Sequence, residues 1–159
     1  MLKSGGVHRD LEGLYKDAIL ASIVHRLDLP AEVDRDHLLA ILSAREAMGS
    51  TGIGDGIAIP HVRNPILLHV EDSQVSLFLL PHPVDYKSLD GQPVHSVFLV
   101  ISPSISAHLR ILARLGFALR DEALRDLLRD RAPNEQIIAR VEELERHGTG
   151  HRARPGATR

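Results

Sequence analysis

Apolar positions recur along this chain with two different periods, and each period predicts an element where it holds. Within residues 17–27, Ile19, Leu20, Ile23, Val24 and Leu27 form one stripe at helical spacing, which predicts an amphipathic helix stopped by Leu29-Pro30. A second helix is predicted from an N-cap at Asp34, through Leu38, Leu39, Ile41 and Leu42, to Met48-Gly49. Short apolar runs at 57–59, 75–80 and 94–101 predict strands, with turn signals at Asp72-Ser73 and Asp90-Gly91 between them. The last third returns to helical spacing. Ser104 or Ser106 can cap a helix reaching Leu119, and further helices are expected at about 122–128 and 134–146, with Pro133 near the start of the last. No segment repeats another. The alternation predicts one α/β domain over residues 1–147, a mixed sheet flanked by helices, followed by a Gly-, Arg- and Pro-rich stretch, 148–159, that reads as a disordered basic tail.

One segment breaks both periods. Glycines at 49, 52, 54 and 56 crowd the connection between the second helix and the first strand, and Pro60 ends that strand immediately before His61. Glycine permits close backbone approach and positive φ, while Pro60 holds Ile59 extended and withholds an N–H, so the segment presents an imidazole at a strand end. It is not a nucleotide loop of the common kinds. A phosphate loop needs Gly-Lys-Ser/Thr running into a helix, whereas Gly56 runs into the strand Ile57-Ala58-Ile59. A dinucleotide turn needs a strand before and a helix after, the reverse of the order here. On local grounds alone a lone histidine in this position is more often structural than chemical.

Composition narrows the picture. At 159 residues, 43% hydrophobic and 25% charged, the chain suits one soluble globular domain with a full core. It has no cysteine, hence no disulfide, thiolate nucleophile or thiolate metal site. Its longest apolar runs are strand-sized, and Met1 to Gly6 lacks the apolar stretch of a signal peptide, so no membrane insertion and a cytoplasmic location are expected. Net charge is −2, and Arg152, Arg154 and Arg159 lie together in the tail, so the body is more acidic than the whole. That argues against nucleic acid and suits a basic protein partner.

The run from Arg45 to His61, ending Gly-Ile-Gly-Asp-Gly-Ile-Ala-Ile-Pro-His, resembles the active-site signature of the type-2 enzyme IIA domains (fructose, mannitol and nitrogen-regulatory) of the bacterial phosphoenolpyruvate-dependent phosphotransferase system. Ser106-Ala107-His108-Leu109 with Ile111-Leu112 is similar to the family's helix-opening segment, and Asp90-Gly91-Gln92-Pro93-Val94 to its middle. The likeness spans about residues 14–145. It implies a single-domain sandwich of the mannitol-type enzyme IIA kind, with His61 as the phosphoryl carrier, His108 beside it, and Arg45 at the active site. Phosphoryl transfer needs an in-line nucleophile and groups that offset charge on the equatorial oxygens, and a neutral imidazole supplies the first. The resemblance implies Nε2 as the reactive atom.

The plainer readings stay open beside these. His108, in the first turn of a helix, is either a donor to an anion at the positive helix end or an exposed helix-start histidine. Arg45 either pairs with phosphate through its guanidinium fork or satisfies the last carbonyls of its helix. Arg63 reads as a weaker candidate that steers the incoming partner. Val62 stands where many family members have a small residue, often glycine, and with Ile53 and Ile57 is expected to ring the site with apolar surface. His69, His82 and His95 are scattered and carry no metal spacing, so no metal and no cofactor are expected. Ser104 and Ser106 are better caps than nucleophiles.

The resemblance thus implies a phosphoryl carrier that accepts phosphate from a histidine-containing phosphocarrier protein on His61. It then passes the group to a separate IIB protein, because this chain lacks the cysteine such a domain uses, or reports its phosphorylation state in regulation. Transfer between two histidines implies no Mg²⁺. The rival reading is a regulatory module that binds target proteins without onward sugar phosphorylation.

Overall fold

Neither of the two longest apolar runs alternates with polar residues, because both of their faces are covered. A computed structural model describes residues 1–62 and 70–149. The elements in chain order are β1 (Val7–His8), α1 (Lys16–Arg26), α2 (Arg35–Ala47), β2 (Gly52–Gly54), β3 (Ile57–Ala58), β4 (Gln74–Val84), β5 (Val94–Ile101), α3 (Ile105–Ala118), α4 (Glu122–Arg129) and α5 (Asn134–Thr149). The five strands form one mixed sheet in the order β1-β4-β5-β3-β2, with β1 parallel to β4, β4 antiparallel to β5, β5 parallel to β3, and β3 antiparallel to β2.

Successive residues of a strand point to opposite faces, and here each set meets its own helical layer. Phe78, Leu80, Val97 and Leu99 pack with Ile19, Ile23, Leu38 and Leu42 of α1 and α2. Leu77, Leu79, Phe98 and Val100 pack with Leu115, Leu124, Leu128, Ile137 and Val141 of α3, α4 and α5. The α/β sandwich expected from the sequence is therefore present. Its helix ends are set by side chains: Asp34 accepts from the N–H of Asp36 (2.9 Å) and His37 (3.1 Å), and Asp121 from that of Leu124 (2.8 Å). Such caps contribute about 1 kcal/mol each. Arg140 of α5 grips both oxygens of Asp121 (2.9 and 2.6 Å), fastening the last helix to α4.

Three details differ from the sequence reading. The strand expected at 75–80 runs on to Val84, with a shift of register between Leu79 and Val84. Two short edge strands, β1 and β2, were not foreseen. α5 continues through Thr149, beyond the expected end at 146, while residues 150–159 of the proposed tail lie outside the described residues. Because β3 and β5 are parallel neighbours, their carboxyl ends emerge at one edge of the sheet, beside the start of α3.

Candidate functional site

His61 is delivered by a hairpin. The two residues joining β2 to β3 are Asp55 and Gly56, both at positive φ (52° and 71°), the signature of a tight type I′ turn. A Cβ on Gly56 would lie 2.3 Å from Cδ2 of His95, so this position admits glycine alone on both counts. Beyond β3 the chain passes Pro60, whose carbonyl accepts the N–H of Val100 at 3.3 Å, and His61 pairs alongside the end of β5.

The ring of His61 is half-buried, and its Nδ1 lies 2.7 Å from the carbonyl oxygen of Ile59. A carbonyl only accepts, so Nδ1 carries the hydrogen and the neutral ring keeps its lone pair on Nε2. Burial holds the pKa below the usual 6.5; the Ile59 carbonyl pushes upward, the Arg45 charge downward and the Glu46 charge upward, with the net effect downward. The ring is neutral at neutral pH.

His108 comes from the first turn of α3, which opens on Ser104. The Ser104 hydroxyl accepts the N–H of Ala107 at 3.2 Å, which settles the cap on Ser104 rather than Ser106. His108 is 5% exposed, not the solvent-facing residue of the plainer reading. Its Nδ1 is 3.2 Å from Oγ of the fully buried Ser102, one residue past β5. The His61 and His108 rings lie 5.2 Å apart between centroids, tilted by 43°. Burial, then the neighbouring His61, lowers the pKa of His108 too. Two neutral imidazoles thus face each other at a helix N-terminus, where unpaired N–H groups favour an arriving anion.

Arg45 occupies the last turn of α2. Its Nη1 donates to the carbonyl of Gly49 at 3.0 Å, past the C-cap Met48 and not among the helix's last carbonyls, and its charge acts on the His61 ring. The structure therefore brings the rings of His61 and His108 together, while Arg45 lies in the last turn of the helix that leads into the hairpin carrying His61. Arg63 and His69 lie outside the described residues. The apolar ring expected around the site is corrected: Val62 (0% exposed) and Ile57 (1%) point into the core, because the β-branched side chains at these two positions belong to its inner layers. Ile53 is exposed, and the other exposed apolar side chains near these elements are Met48 after α2, and Ile105 and Leu109 flanking His108 in sequence. His95 hydrogen-bonds to Oγ of Ser96 (2.9 Å) beneath the Gly56 turn, and His82 is exposed on β4. Among the described residues no group of three or more His, Asp or Glu side chains is placed to hold a metal ion, and no helix is long and apolar enough to cross a membrane.

The sequence reading passed over Glu46. It is 5% exposed, and its carboxylate accepts the N–H of Thr51 (3.1 and 3.2 Å) and the Thr51 hydroxyl (2.6 Å), with Lys16 Nζ 3.4 Å away. A glutamate near a helix end ordinarily reads as solvated, and no local pattern marks it as buried.

Comparison with known proteins identifies relatives of the chain. The model of the family described as Phosphoenolpyruvate-dependent sugar phosphotransferase system, EIIA 2, matches residues 1–144. A nitrogen regulatory protein of Pseudomonas aeruginosa is 38% identical over 125 residues, covering 77% of this chain and 77% of that protein. The PTS system fructose-specific EIIABC component of Bacillus subtilis is 31% identical over 141 residues, covering 87% of this chain; the match spans only 22% of that longer protein. The crystal structure of the nitrogen regulatory protein IIA-Ntr from Neisseria meningitidis superposes with a TM-score of 0.73 at 26% identity, covering 85% of this chain and 91% of that one.

Proposed function

The chain belongs to the EIIA type-2 family of the phosphoenolpyruvate-dependent sugar phosphotransferase system, and on that premise we propose that it carries a phosphoryl group on Nε2 of His61, received from a histidine-containing phosphocarrier protein. The observation that carries this reading is the 2.7 Å contact between His61 Nδ1 and the Ile59 carbonyl, which leaves Nε2 as the unprotonated nitrogen of a ring facing His108.

In the transfer, the Nε2 lone pair attacks phosphorus, the P–N bond to the donor histidine breaks, and its electron pair returns to the donor ring. The product ring becomes imidazolium-like at Nδ1–H, and the Ile59 carbonyl is the acceptor facing that charge. His61 then bears close to two negative charges on phosphate. In the His108 tautomer in which Ser102 Oγ donates to Nδ1, the Nε2–H of His108 is free to donate to the phosphoryl oxygens. The first-turn amides of α3 and the Arg45 charge offset the rest.

Of the two fates, regulation is favoured over sugar transport alone by one observation: the nitrogen regulatory relative is 38% identical, against 31% for the fructose-specific EIIABC component. Exposed Met48, Ile53, Ile105 and Leu109, on the segments that also carry Arg45, His61 and His108, are the side chains we propose as an apolar rim. A partner docking on that rim has to desolvate the phosphate, so it prefers the unphosphorylated form, whereas a cationic partner prefers the other.

Incubation with phosphoenolpyruvate, enzyme I and the phosphocarrier tests the reading. One acid-labile, alkali-stable phosphoryl group is expected, lost in His61→Ala and slowed in His108→Ala; label persisting in His61→Ala contradicts it. Calorimetric titration of both phospho-forms against IIB and regulatory candidates then separates the two fates.

A further inference from the structure

Between the buried carboxylate of Glu46 and the ring of His61 runs an unbroken series of hydrogen-bonded contacts. Glu46 accepts both the N–H and the hydroxyl of Thr51. The Thr51 carbonyl accepts the N–H of Ile59 at 2.9 Å, next to the paired residues Gly52 and Ala58 of the β2–β3 hairpin. The carbonyl of the same Ile59 then accepts Nδ1–H of His61. Ile59 is thus held from both sides: its N–H is tied to the loop that Glu46 anchors, and its carbonyl sets the ring.

From this we infer that Glu46 is a positioning residue for His61, fixing through Thr51 and Ile59 the carbonyl against which the reactive ring is oriented. The inference rests on the reading of His61 as phosphoryl acceptor.

Three features give the arrangement the rigidity such a role needs. A carboxylate taking N–H and O–H donors makes charge-assisted bonds, stronger and more directional than neutral ones, and burial strengthens them further. The segment on either side of Thr51 is pinned as well. Ser50 Oγ donates to the Tyr86 carbonyl at 2.5 Å and accepts the Gly52 N–H at 3.0 Å. A Cβ on Gly52 would sit 2.2 Å from Ser88 Oγ, so the loop has no room to slide. Finally, α2 places Arg45 and Glu46 side by side, and their charges act on His61 in opposite senses, Glu46 favouring the protonated ring. The charged and titratable groups facing the ring among the described residues are these two from α2 and His108 from α3.

A merely structural role is the competing account: Glu46 and Lys16, 3.4 Å apart, would form a partly buried ion pair whose loss lowers stability and nothing else. Ring spectroscopy separates the two. In protein carrying ¹⁵N-histidine, long-range ¹H–¹⁵N spectra report which nitrogen of His61 is protonated, with no need for phosphoryl transfer. The parent is expected to give the Nδ1–H tautomer. Glu46→Gln, which removes one acceptor and the charge, is expected to introduce a second tautomer and to lower the His61 pKa, because the Glu46 charge raises it. It is also expected to reduce kcat for transfer by on the order of ten- to a hundredfold, while the KM for the phosphocarrier holds. Thr51→Val, which deletes the 2.6 Å hydroxyl contact and keeps the backbone one, moves the same readouts in the same direction by less, and stands in should Glu46→Gln fail to fold. Lys16→Met leaves the tautomer unchanged.

A folded Glu46→Gln or Thr51→Val with the parental tautomer, pKa and kcat overturns the inference, as does a Lys16→Met variant that perturbs the ring as much as Glu46→Gln does. Should the parent take no phosphate on His61 while Glu46→Gln still shifts its ring, the functional reading fails and the positioning of the ring by Glu46 stands.

Discussion

The carbonyl oxygen of Ile59 lies 2.7 Å from Nδ1 of His61, two residues further on, and this one contact decides which face of the imidazole is chemically available. It follows from the strand ending at Pro60: the proline holds Ile59 extended, and the short step to His61 folds the ring back onto the preceding carbonyl.

The pH dependence of phosphoryl acceptance follows from the lowered pKa. Only the neutral ring has a lone pair on Nε2, and burial holds the His61 pKa below the ordinary 6.5. Single-turnover rates, corrected for the donor's own titration, should be flat above pH 6.5 and fall only at more acid pH. The same shift sets the stability profile. The unfolded chain protonates His61 near 6.5 before the folded chain does, so the stability this residue contributes is full above that value. It is lost as pH falls toward the folded pKa, and levels off below it. A rate that declines already above pH 6.5 contradicts a buried neutral ring.

Arg45 separates two roles by substitution. Arg45→Ala should slow transfer by about 1.5–3 kcal/mol, the size of a charge-assisted contact, and Arg45→Lys should retain part of the rate because it keeps the charge and loses the fork. Rapid-quench transfer rates beside melting curves are the check. Parental rates with lower melting temperatures would assign Arg45 wholly to its contact with the Gly49 carbonyl.

Ser102→Ala removes the hydroxyl 3.2 Å from His108 Nδ1 and leaves that nitrogen buried without its partner. The variant should still label on His61, more slowly, with a loss of stability of about 1–3 kcal/mol. Chemical denaturation and labelling kinetics measured together decide it. A parental labelling rate would remove Ser102 from the orientation of His108.

Much of the fold could be read from the chain because its strongest elements are local. The apolar runs of β4 and β5 and the stripes of α1 and α2 carry their period within one window, and Asp34 and Ser104 cap where a short polar side chain precedes such a stripe. β1 was invisible for the opposite reason. Val7 and His8 become a strand only by pairing with Leu77 and Phe78, some seventy positions away, and two residues hold no period. β2 left a signal that was not taken: Asp55-Gly56 is the favoured pair for a two-residue hairpin, yet Gly52 and Gly54 hid the strand before it. At the site, His61, His108 and Arg45 were named from sequence; the His61 and His108 rings lie 5.2 Å apart, and Arg45 lies in the last turn of the helix before the hairpin that delivers His61. Val62 and Ile57 were placed outward, although Val62 is a core residue that the chain buries once past His61. Glu46 was missed because its burial depends on Thr51 returning beneath α2, a tertiary fact.

The turn that delivers His61 should tolerate no side chain at its second position. Gly56→Ala adds strain of about 1–3 kcal/mol from positive φ, and its new methyl meets the His95 ring. Thermal unfolding should show the loss, and labelling of the folded fraction should slow because the hairpin sets Ile59. Unchanged stability would mean the turn relaxes freely and does not fix the site.

The most direct measurement identifies the atom that carries the phosphoryl group. Protein with ¹⁵N-labelled histidine, phosphorylated through enzyme I and the phosphocarrier, should show one phosphohistidine whose ³¹P–¹⁵N coupling falls on Nε2 of His61, with Nδ1–H still bonded to the Ile59 carbonyl. Coupling to Nδ1 of His61, or a phosphoryl group on His108 or any other residue, would contradict the account.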